Sequence, residues 1–225
     1  WKNYTGSADI PENTKQIVIG LQIYGPGKVW FDDLEVTLTD ESAPAKPEKT
    51  ENAIEVPLNG ETGEYLLITP QDKSDNEKPH ALLIVLPANV KYTTEELIAA
   101  VIKDVSKKQK IDSRRIYLLA WSSGGPAAYA ALLQKETDID GALIAMSVFK
   151  PDQLPDPANA KQRSLYLLHS PDDKVCPYYM AEAARDTFKK TDVRTTLVDY
   201  PGGHGWKGNV YGNIRQGIEW LQKSD

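Results

Sequence analysis

The stretch Ile116-Tyr-Leu-Leu-Ala-Trp-Ser-Ser-Gly-Gly125 does most to decide which fold this 225-residue sequence adopts. Its first five residues form an unbroken apolar run of strand length, and a helix-forming segment follows its last glycine. A serine on a sharp strand-to-helix turn projects its hydroxyl above the sheet, provided that small residues stand two places before and after it. Ala120 and Gly124 occupy those places, with Ala where Gly is usual. The stretch therefore predicts that Ser122 is a nucleophile.

Strand-sized apolar runs and amphipathic helical segments alternate on both sides of this stretch. Unbroken apolar runs are typical of strands covered on both faces, and β–α alternation implies parallel pairing. The sequence therefore predicts the α/β class, with a mainly parallel, doubly wound sheet. The predicted strands are 53–58, 65–69, 81–86, 116–120, 142–146, 165–169 and 195–200, and the predicted helices follow Thr93, Pro126 and Pro177 and include Val210.

Composition divides the chain into three regions. Residues 40–53 have no apolar side chain larger than Ala, two prolines and alternating charges, which indicates an extended linker. Two alternating strands in residues 1–39 predict a short N-terminal β segment, and residues 54–225 would form the α/β domain. Two strands alone are marginal, so they would need further partners.

Charge and apolar patterning exclude several classes of partner. With 26 Lys and Arg against 32 Asp and Glu, the formal net charge is −6, which argues against nucleic acid or an anionic membrane. No apolar run approaches the ~18 residues of a membrane span. The single Cys176 excludes an internal disulfide. The chain starts at Trp1 without the charged-then-apolar order of a signal peptide, which suggests a processed product or a piece of a longer chain.

Three histidines are candidates for the base that an elbow serine needs. His80 stands beside Pro79 before a strand, which favours a solvated loop residue. His169 ends an apolar strand, where a hydrogen-bonded structural role is expected. His204 lies among glycines after the last strand, at the edge where open α/β sheets bind ligands. His204 is therefore the predicted base.

Two adjacent carboxylates, Asp172 and Asp173, follow the strand that ends at His169. The resulting order of serine, acid and histidine is that of α/β-hydrolases, unlike the order in either well-known class of serine protease. Consecutive residues that leave a strand point in different directions, so only one of the two carboxylates can face His204. The residues alone leave that choice open.

Over residues 54–221 the sequence resembles a known group of proteins. It is similar to the α/β-hydrolase superfamily, and in particular to the phospholipase/carboxylesterase and dienelactone-hydrolase-like group. The resemblance rests on the 116–125 stretch, on Leu168-His-Ser-Pro-Asp-Asp-Lys-Val-Cys-Pro177 and on Gly202-Gly-His-Gly-Trp206. Family members carry His-Gly-x-x-Asp-x-x-Val/Ile-Pro around the acid. Aligned on His169, that pattern has its acid four residues later and therefore implies that the acid is Asp173.

The sequence departs from the family pattern in two places. The family usually has His-Gly after the third strand, where a backbone N–H enters the oxyanion hole, but this chain has Leu86-Pro-Ala-Asn-Val90. The resemblance then implies an oxyanion hole made by the N–H groups of Ser123 and Asn89. Residues 87–115 leave room for a single helix, so a trimmed domain is expected. No large insertion follows the 142–146 strand, so we expect no lid.

The sequence thus predicts a serine hydrolase that cleaves carboxylic esters through an acyl-enzyme, without a cofactor or a metal. Two alternatives stay open: a serine peptidase of the prolyl-oligopeptidase type, and a noncatalytic binding module on a degenerate hydrolase fold. Residues 25–36 resemble the last strands of carbohydrate-binding-type jelly rolls. This favours an exported protein that acts on small-molecule or glycan-linked esters. Cys176 is expected to be a semi-buried inert thiol, because Ser122 holds the elbow position.

Overall fold

The computed structural model describes residues 52–70, 78–86, 88 and 95–223. The chain divides into two units, Trp1–Glu51 and Asn52–Asp225, and all of the described residues belong to the second unit. The predicted N-terminal β segment, most of the predicted linker and Asn89 lie outside the described residues. The three predicted regions therefore stay predictions.

The described residues form two sheets and four α-helices. Five strands form one parallel sheet in the order β3-β4-β5-β6-β7, while β1 and β2 pair antiparallel in a separate two-stranded sheet. The predicted class, α/β with a mainly parallel sheet, is confirmed. The elements are β1 Ile54–Pro57, β2 Thr62–Tyr65, β3 His80–Leu86, α1 Glu95–Lys108, β4 Ile111–Trp121, α2 Gly125–Leu132, β5 Gly141–Ala145, β6 Ser164–His169, α3 Tyr178–Lys189, β7 Arg194–Asp199 and α4 Val210–Gln222.

The three central strands β4, β5 and β6 are covered on both faces, as their continuous apolar runs predict, whereas β3 leaves Leu83 and Val85 exposed. Alternate residues of a strand point to opposite faces, so β4 sends Leu118 and Ala120 into one core and Tyr117 and Leu119 into the other. The first core contains the buried faces of α1, α2 and α3, and the second contains that of α4. Burial of these apolar surfaces is the main force that holds the sheet together.

Helix α1 shows how the pattern in the sequence produces packing. Its apolar side chains recur three and four residues apart, so they form one stripe that faces the sheet. Acidic residues occupy its first turn and basic residues its last turn, in the sense that complements the helix dipole. The buried members of the stripe are Ile98, Val101, Ile102 and Val105. None of the helices that the structure describes is long and apolar enough to cross a bilayer.

The predicted strand at 65–69 is wrong in its position, because β2 lies earlier. A tight turn sets the pairing of β1 with β2: Gly60 has φ +86°, and the Leu58 N–H donates to the Glu61 carbonyl at 2.9 Å. The strand therefore begins directly after the turn, in residues that are mostly polar. The apolar run that suggested a strand contains Ile68, whose exposed fraction is 92%.

Strand β4 begins at Ile111 rather than at residue 116. Its first part is polar, so apolar periodicity could not identify it. Asp112 accepts hydrogen bonds from the backbone N–H of Arg114 and from Nε of Arg115, at 3.0 and 2.9 Å. Arg115 also donates to the Pro79 carbonyl at 2.6 Å, which ties the start of β4 to the residue before β3. Local polar contacts therefore replace burial along this extension.

Candidate active site

The end of β4 forms a strained turn that presents Ser122. Ser122 has φ +49°, in the left-handed region that non-glycine residues rarely adopt, while Trp121 before it is fully extended. A short 3₁₀ turn, Ser122–Gly124, then leads into α2. The hydroxyl of Ser147 donates to the Ser122 carbonyl at 2.7 Å and helps to hold the turn. This is the geometry expected of a nucleophile elbow.

The tightest approach at the elbow occurs at Gly125, which the sequence argument did not single out. A Cβ atom there would lie 1.9 Å from Oγ of Ser147 and 3.2 Å from Cγ2 of Ile144. Ala120, at the position where Gly is usual, is fully buried and has room for its methyl group. The consecutive glycines in the sequence were the available signal. Helix α2 packs closely against β5 because the second of them has no side chain.

We expect Gly125→Ala to destabilise the fold, although Ala favours helices over Gly. Its Cβ would overlap Ser147, and overpacking of this kind costs about 1–3 kcal/mol. Urea denaturation would measure the loss in the free energy of unfolding. The double variant Gly125→Ala/Ser147→Gly removes the overlapping atoms and should recover part of that loss. A single variant as stable as the wild type would contradict this account of the elbow.

The structure brings Ser122, His204 and Asp173 together in one chain of hydrogen bonds. Oγ of Ser122 lies 2.9 Å from Nε2 of His204, and Nδ1 of His204 lies 2.9 Å from Oδ2 of Asp173. An ionised carboxylate can only accept, so Nδ1 carries the proton and donates it. Nε2 then has a free lone pair that can accept the hydrogen bond of the serine hydroxyl. The Asp173 side chain is 0% exposed and the His204 side chain 20% exposed.

The loop between β6 and α3, residues 170–177, fixes the Asp173 carboxylate through its own backbone, and we call it the acid loop. Oδ1 accepts the N–H groups of Val175 and Cys176, both at 2.8 Å, which leaves Oδ2 directed at the imidazole. Asp172 is exposed, and its backbone N–H lies 3.3 Å from Oγ of Ser170 within the same turn. Of the two adjacent carboxylates, only Asp173 faces His204.

His169, the last residue of β6, is buried beside this loop, closer to the carboxylate than the sequence suggested. Its Nε2 donates to the Cys176 carbonyl at 2.7 Å and lies 3.4 Å from Oδ2 of Asp173. A carbonyl oxygen can only accept, so Nε2 carries the proton. The ring packs edge-on against Tyr178, with ring centres 5.9 Å apart. His169 therefore stabilises the acid loop. His80, the third histidine, is the first residue of β3.

Of the two residues predicted to form an oxyanion hole, the structure describes only Ser123. Ser123 is exposed in the 3₁₀ turn directly after Ser122, at the point where α2 is about to begin. Asn89 lies outside the described residues, so this pair stays a prediction.

Beside the elbow, Trp121 and Trp206 pack edge-to-face with ring centres 5.9 Å apart and extend the second core. They link the strand before Ser122 to the loop of the histidine.

Among the residues that the structure describes, one group of three could in principle hold a metal ion: Asp173, Cys176 and His204. One potential ligand atom from each lies within 4.8 Å of the others. Burial, with a smaller effect from Asp173, raises the pKa of the Cys176 thiol to about 11. A protonated thiol is a poor ligand, and both carboxylate oxygens already accept hydrogen bonds. The donor set therefore fits a proton-transfer site better than a metal centre.

The raised pKa of Cys176 predicts slow alkylation of the folded protein. The thiolate is the reactive form, and a shift from 9.0 to about 11 leaves about 100-fold less thiolate at neutral pH. Iodoacetamide should therefore label the native protein at least 100-fold more slowly than the protein unfolded in guanidinium. The native rate should rise with pH up to about 11. Equal rates in the two states would show that the thiol is exposed and that its pKa is not raised in the folded protein.

The fold is that of the α/β-hydrolase class. The sequence matches the phospholipase/carboxylesterase family model over residues 85–221, which is more than half of the chain. The chain belongs to the phospholipase/carboxylesterase family. The predicted resemblance to this family is thereby confirmed for the α/β domain, and membership supports a hydrolase.

Solved structures share this fold at low sequence identity. Est1E from Butyrivibrio proteoclasticus is 14% identical with a TM-score of 0.58, covering 76% of this chain and 97% of that one. The carboxylesterase of Bacillus cereus is 16% identical with a TM-score of 0.52, covering 67% and 91%. At these identities the likeness establishes the fold and not the substrate.

Other similar proteins share shorter stretches with this chain. The chain covers 63% of the length of SOBER1 from Arabidopsis thaliana, at 21% identity, with 57% of this chain matched and a TM-score of 0.48. A curated relative, the uncharacterized HTH-type transcriptional regulator YbfP of Bacillus subtilis, is 42% identical over 45 residues. That stretch is 20% of this chain and 15% of the relative.

Proposed function

We propose that this protein is a serine esterase that cleaves carboxylic esters through an acyl-enzyme. One observation carries the proposal: the chain of hydrogen bonds from Ser122 through His204 to Asp173 starts on a strained elbow. Such an arrangement supplies a nucleophile, a base and a group that orients the base. Membership of a family of phospholipases and carboxylesterases supports the same reaction class.

In the proposed acylation step, Oγ of Ser122 attacks the ester carbonyl and forms a tetrahedral intermediate. Nε2 of His204 takes the hydroxyl proton as the new C–O bond forms, and then gives it to the alcohol that leaves. Asp173 keeps the proton on Nδ1 and stabilises the imidazolium that forms transiently. Because Asp173 is fully buried and held by two backbone N–H groups, the imidazole keeps one orientation through the step.

The proposed deacylation step repeats this chemistry with water in place of the alcohol. His204 takes a proton from water, which attacks the acyl-enzyme, and then returns the proton to Oγ of Ser122. The negative charge on the carbonyl oxygen would be stabilised by the N–H groups of Ser123 and Asn89. Each such donor lowers the barrier by roughly 3 kcal/mol. No step requires a metal or an organic cofactor.

For the substrate we propose a carboxylic ester of a small molecule or of a glycan. The glycan-linked case is supported by the resemblance of residues 25–36 to carbohydrate-binding-type jelly rolls, which is an argument from association. The same resemblance supports an exported, periplasmic or extracellular protein. Acetyl and feruloyl esters of polysaccharides are therefore the first natural substrates to test.

A fluorophosphonate probe and two chromogenic substrate series test the proposed function. The purified full chain should bind the probe covalently and should hydrolyse p-nitrophenyl esters of short acids, with and without EDTA. Faster cleavage of aminoacyl anilides than of esters would favour the peptidase alternative. If the chain showed neither labelling nor turnover, the noncatalytic module would be the better account. Loss of activity in EDTA would contradict the metal-free mechanism.

A further inference from the structure

The loop that carries His204 has little conformational preference of its own. The glycines around the histidine have φ angles of +140° at Gly202, +70° at Gly203 and +129° at Gly205. Glycine adopts such angles freely, and it gives the unconstrained chain more conformations than any other residue. Contacts from outside the loop must therefore fix the direction of the imidazole.

The peptide groups on both sides of His204 are held by side chains. Gly203 donates its N–H to Oγ of Ser170 at 2.9 Å, and its carbonyl accepts from the Tyr200 hydroxyl at 3.1 Å. Gly205 donates its N–H to Sδ of Met146 at 3.1 Å, and its carbonyl accepts from the same hydroxyl at 2.8 Å. Both neighbours of the histidine thus have their N–H and their carbonyl bonded.

The three side chains come from neighbouring strands of the sheet. Met146 directly follows β5, Ser170 follows β6 and Tyr200 follows β7, and all three are buried. The carboxyl ends of parallel strands meet at one edge of the sheet, so these groups converge under the loop. The Tyr200 hydroxyl also lies 3.5 Å from Sδ of Met146. We call Met146, Ser170 and Tyr200 the loop cradle.

We propose that the loop cradle, through Tyr200 and Met146, positions His204 between Ser122 and Asp173. Tyr200 is central, because its single hydroxyl reaches the carbonyls on both sides of the histidine. One proton cannot serve two acceptors equally, so the shorter bond to Gly205 takes most of it. Met146 holds the N–H of that same residue. Neither side chain touches the reacting atoms, so both are positioning residues. The inference rests on the proposed function for its kinetic consequence.

The expected kinetic effect is on turnover and not on substrate binding. Without the hydroxyl, the carbonyls of Gly203 and Gly205 lose their donor, and the glycine-rich loop becomes free to rotate. A displacement of about 1 Å in a reacting group can cost 10²-fold in rate. Tyr200 is buried and has no role assigned in substrate binding, so KM should stay near that of the wild type while kcat falls.

The test compares Tyr200→Phe with a matched control, Tyr166→Phe. Both changes remove one buried hydroxyl and keep the ring, but the Tyr166 hydroxyl has no hydrogen-bond partner within the described part of the chain. We expect kcat on a p-nitrophenyl ester to fall 10- to 100-fold in Tyr200→Phe, with KM unchanged, and to stay within twofold in Tyr166→Phe. Assays are run at a temperature where circular dichroism shows all proteins fully folded. Equal kcat in both variants would overturn the proposal.

A second readout does not depend on catalysis. In ester-free protein with ¹⁵N-labelled histidine, the Nδ1 proton of His204 is observed by NMR and assigned with His204→Gln. It should be sharp in the wild type and in Tyr166→Phe, and broadened by exchange in Tyr200→Phe. A signal unchanged in Tyr200→Phe would overturn the proposal even if the wild type hydrolyses no ester. In that case, the absence of wild-type turnover would count against the proposed function alone.

A third variant, Met146→Leu, keeps the proposal testable if Tyr200→Phe does not fold. Leucine is close in volume to methionine but offers no sulfur to accept the Gly205 N–H. Both kcat and the sharpness of the His204 signal should fall, by less than in Tyr200→Phe because the carbonyl tethers remain. A variant with wild-type kcat and an unchanged signal would show that the cradle does not position the histidine.

Discussion

Replacing Ser122 with alanine should remove the proposed esterase activity, with a loss of about 10⁶ in kcat, the loss found when a well-studied triad loses its nucleophile. The reason is that Oγ of Ser122 is the atom hydrogen-bonded to Nε2 of His204, and no acyl-enzyme can form on a methyl group. Steady-state hydrolysis of a p-nitrophenyl ester measures the loss. Gel-based labelling with a fluorophosphonate checks it independently, because the probe reports the nucleophile alone.

The matched control is Ser123→Ala, the same exchange one residue further along the chain. Only the backbone N–H of Ser123 is assigned a role, so this variant should keep most of the activity and all of the labelling. If Ser123→Ala abolished labelling and Ser122→Ala did not, the nucleophile would be assigned one residue too early.

Asp173→Asn should lower kcat by about 10⁴, the loss found when a triad carboxylate becomes an amide. The amide has nearly the same shape but can present a donor to Nδ1 of His204, which then favours the tautomer with its proton on Nε2. That tautomer cannot accept the proton of Ser122. Rates on one p-nitrophenyl ester, with folding checked by circular dichroism, give the measurement.

Asp172→Asn is the control for that variant, since it makes the same change on the neighbouring, exposed side chain. We expect less than a tenfold loss from it. The reverse ranking would assign the acid to Asp172 and leave the proposal of a serine esterase unchanged. Near-wild-type rates from both variants would mean that no carboxylate in this loop assists the histidine.

The parallel sheet could be predicted because burial on both faces leaves a plain mark in the sequence. Strands such as β5 and β6 are apolar along almost their whole length, and each ends close to where its run ends. The helices show the complementary 3.6-residue period, because each buries a single face. Where structure depends on burial, the sequence pattern and the fold agree.

Where pairing is set by local hydrogen bonds, the pattern fails. The position of β2 depends on a turn at Gly60, and the apolar residues that follow it are exposed, including Leu66 and Ile68. The first residues of β4 are polar and are tied down by Asp112 and Arg115. Hydrophobic periodicity carries no information about either contact.

The candidate site shows the same difference between residues that have a local sequence pattern and residues that do not. Ser122 and His204 could be singled out because each stands in a motif that follows a strand, and Asp173 because the family pattern selects it; the structure places His204 within hydrogen-bond distance of both of the others. For Gly125 the only signal was the pair of consecutive glycines, and the loop cradle had no signal at all. Their importance comes from contacts between strands, such as the Met146 sulfur with a glycine 59 residues away, which leave no local pattern.

The order of the strands has a consequence for how the chain acquires its function during folding. Ser122 and His204 are 82 residues apart, and β5, β6 and β7 form between them. The loop of His204 follows β7, which pairs with β6 at the end of the sheet, so we expect the histidine to reach the serine only once that pairing has formed. Such distant contacts form late, after the loops that separate them have closed. If Ser122 is the nucleophile, the rate of its covalent labelling during refolding should therefore report the docking of the final strand, whereas circular dichroism should report the formation of the helices.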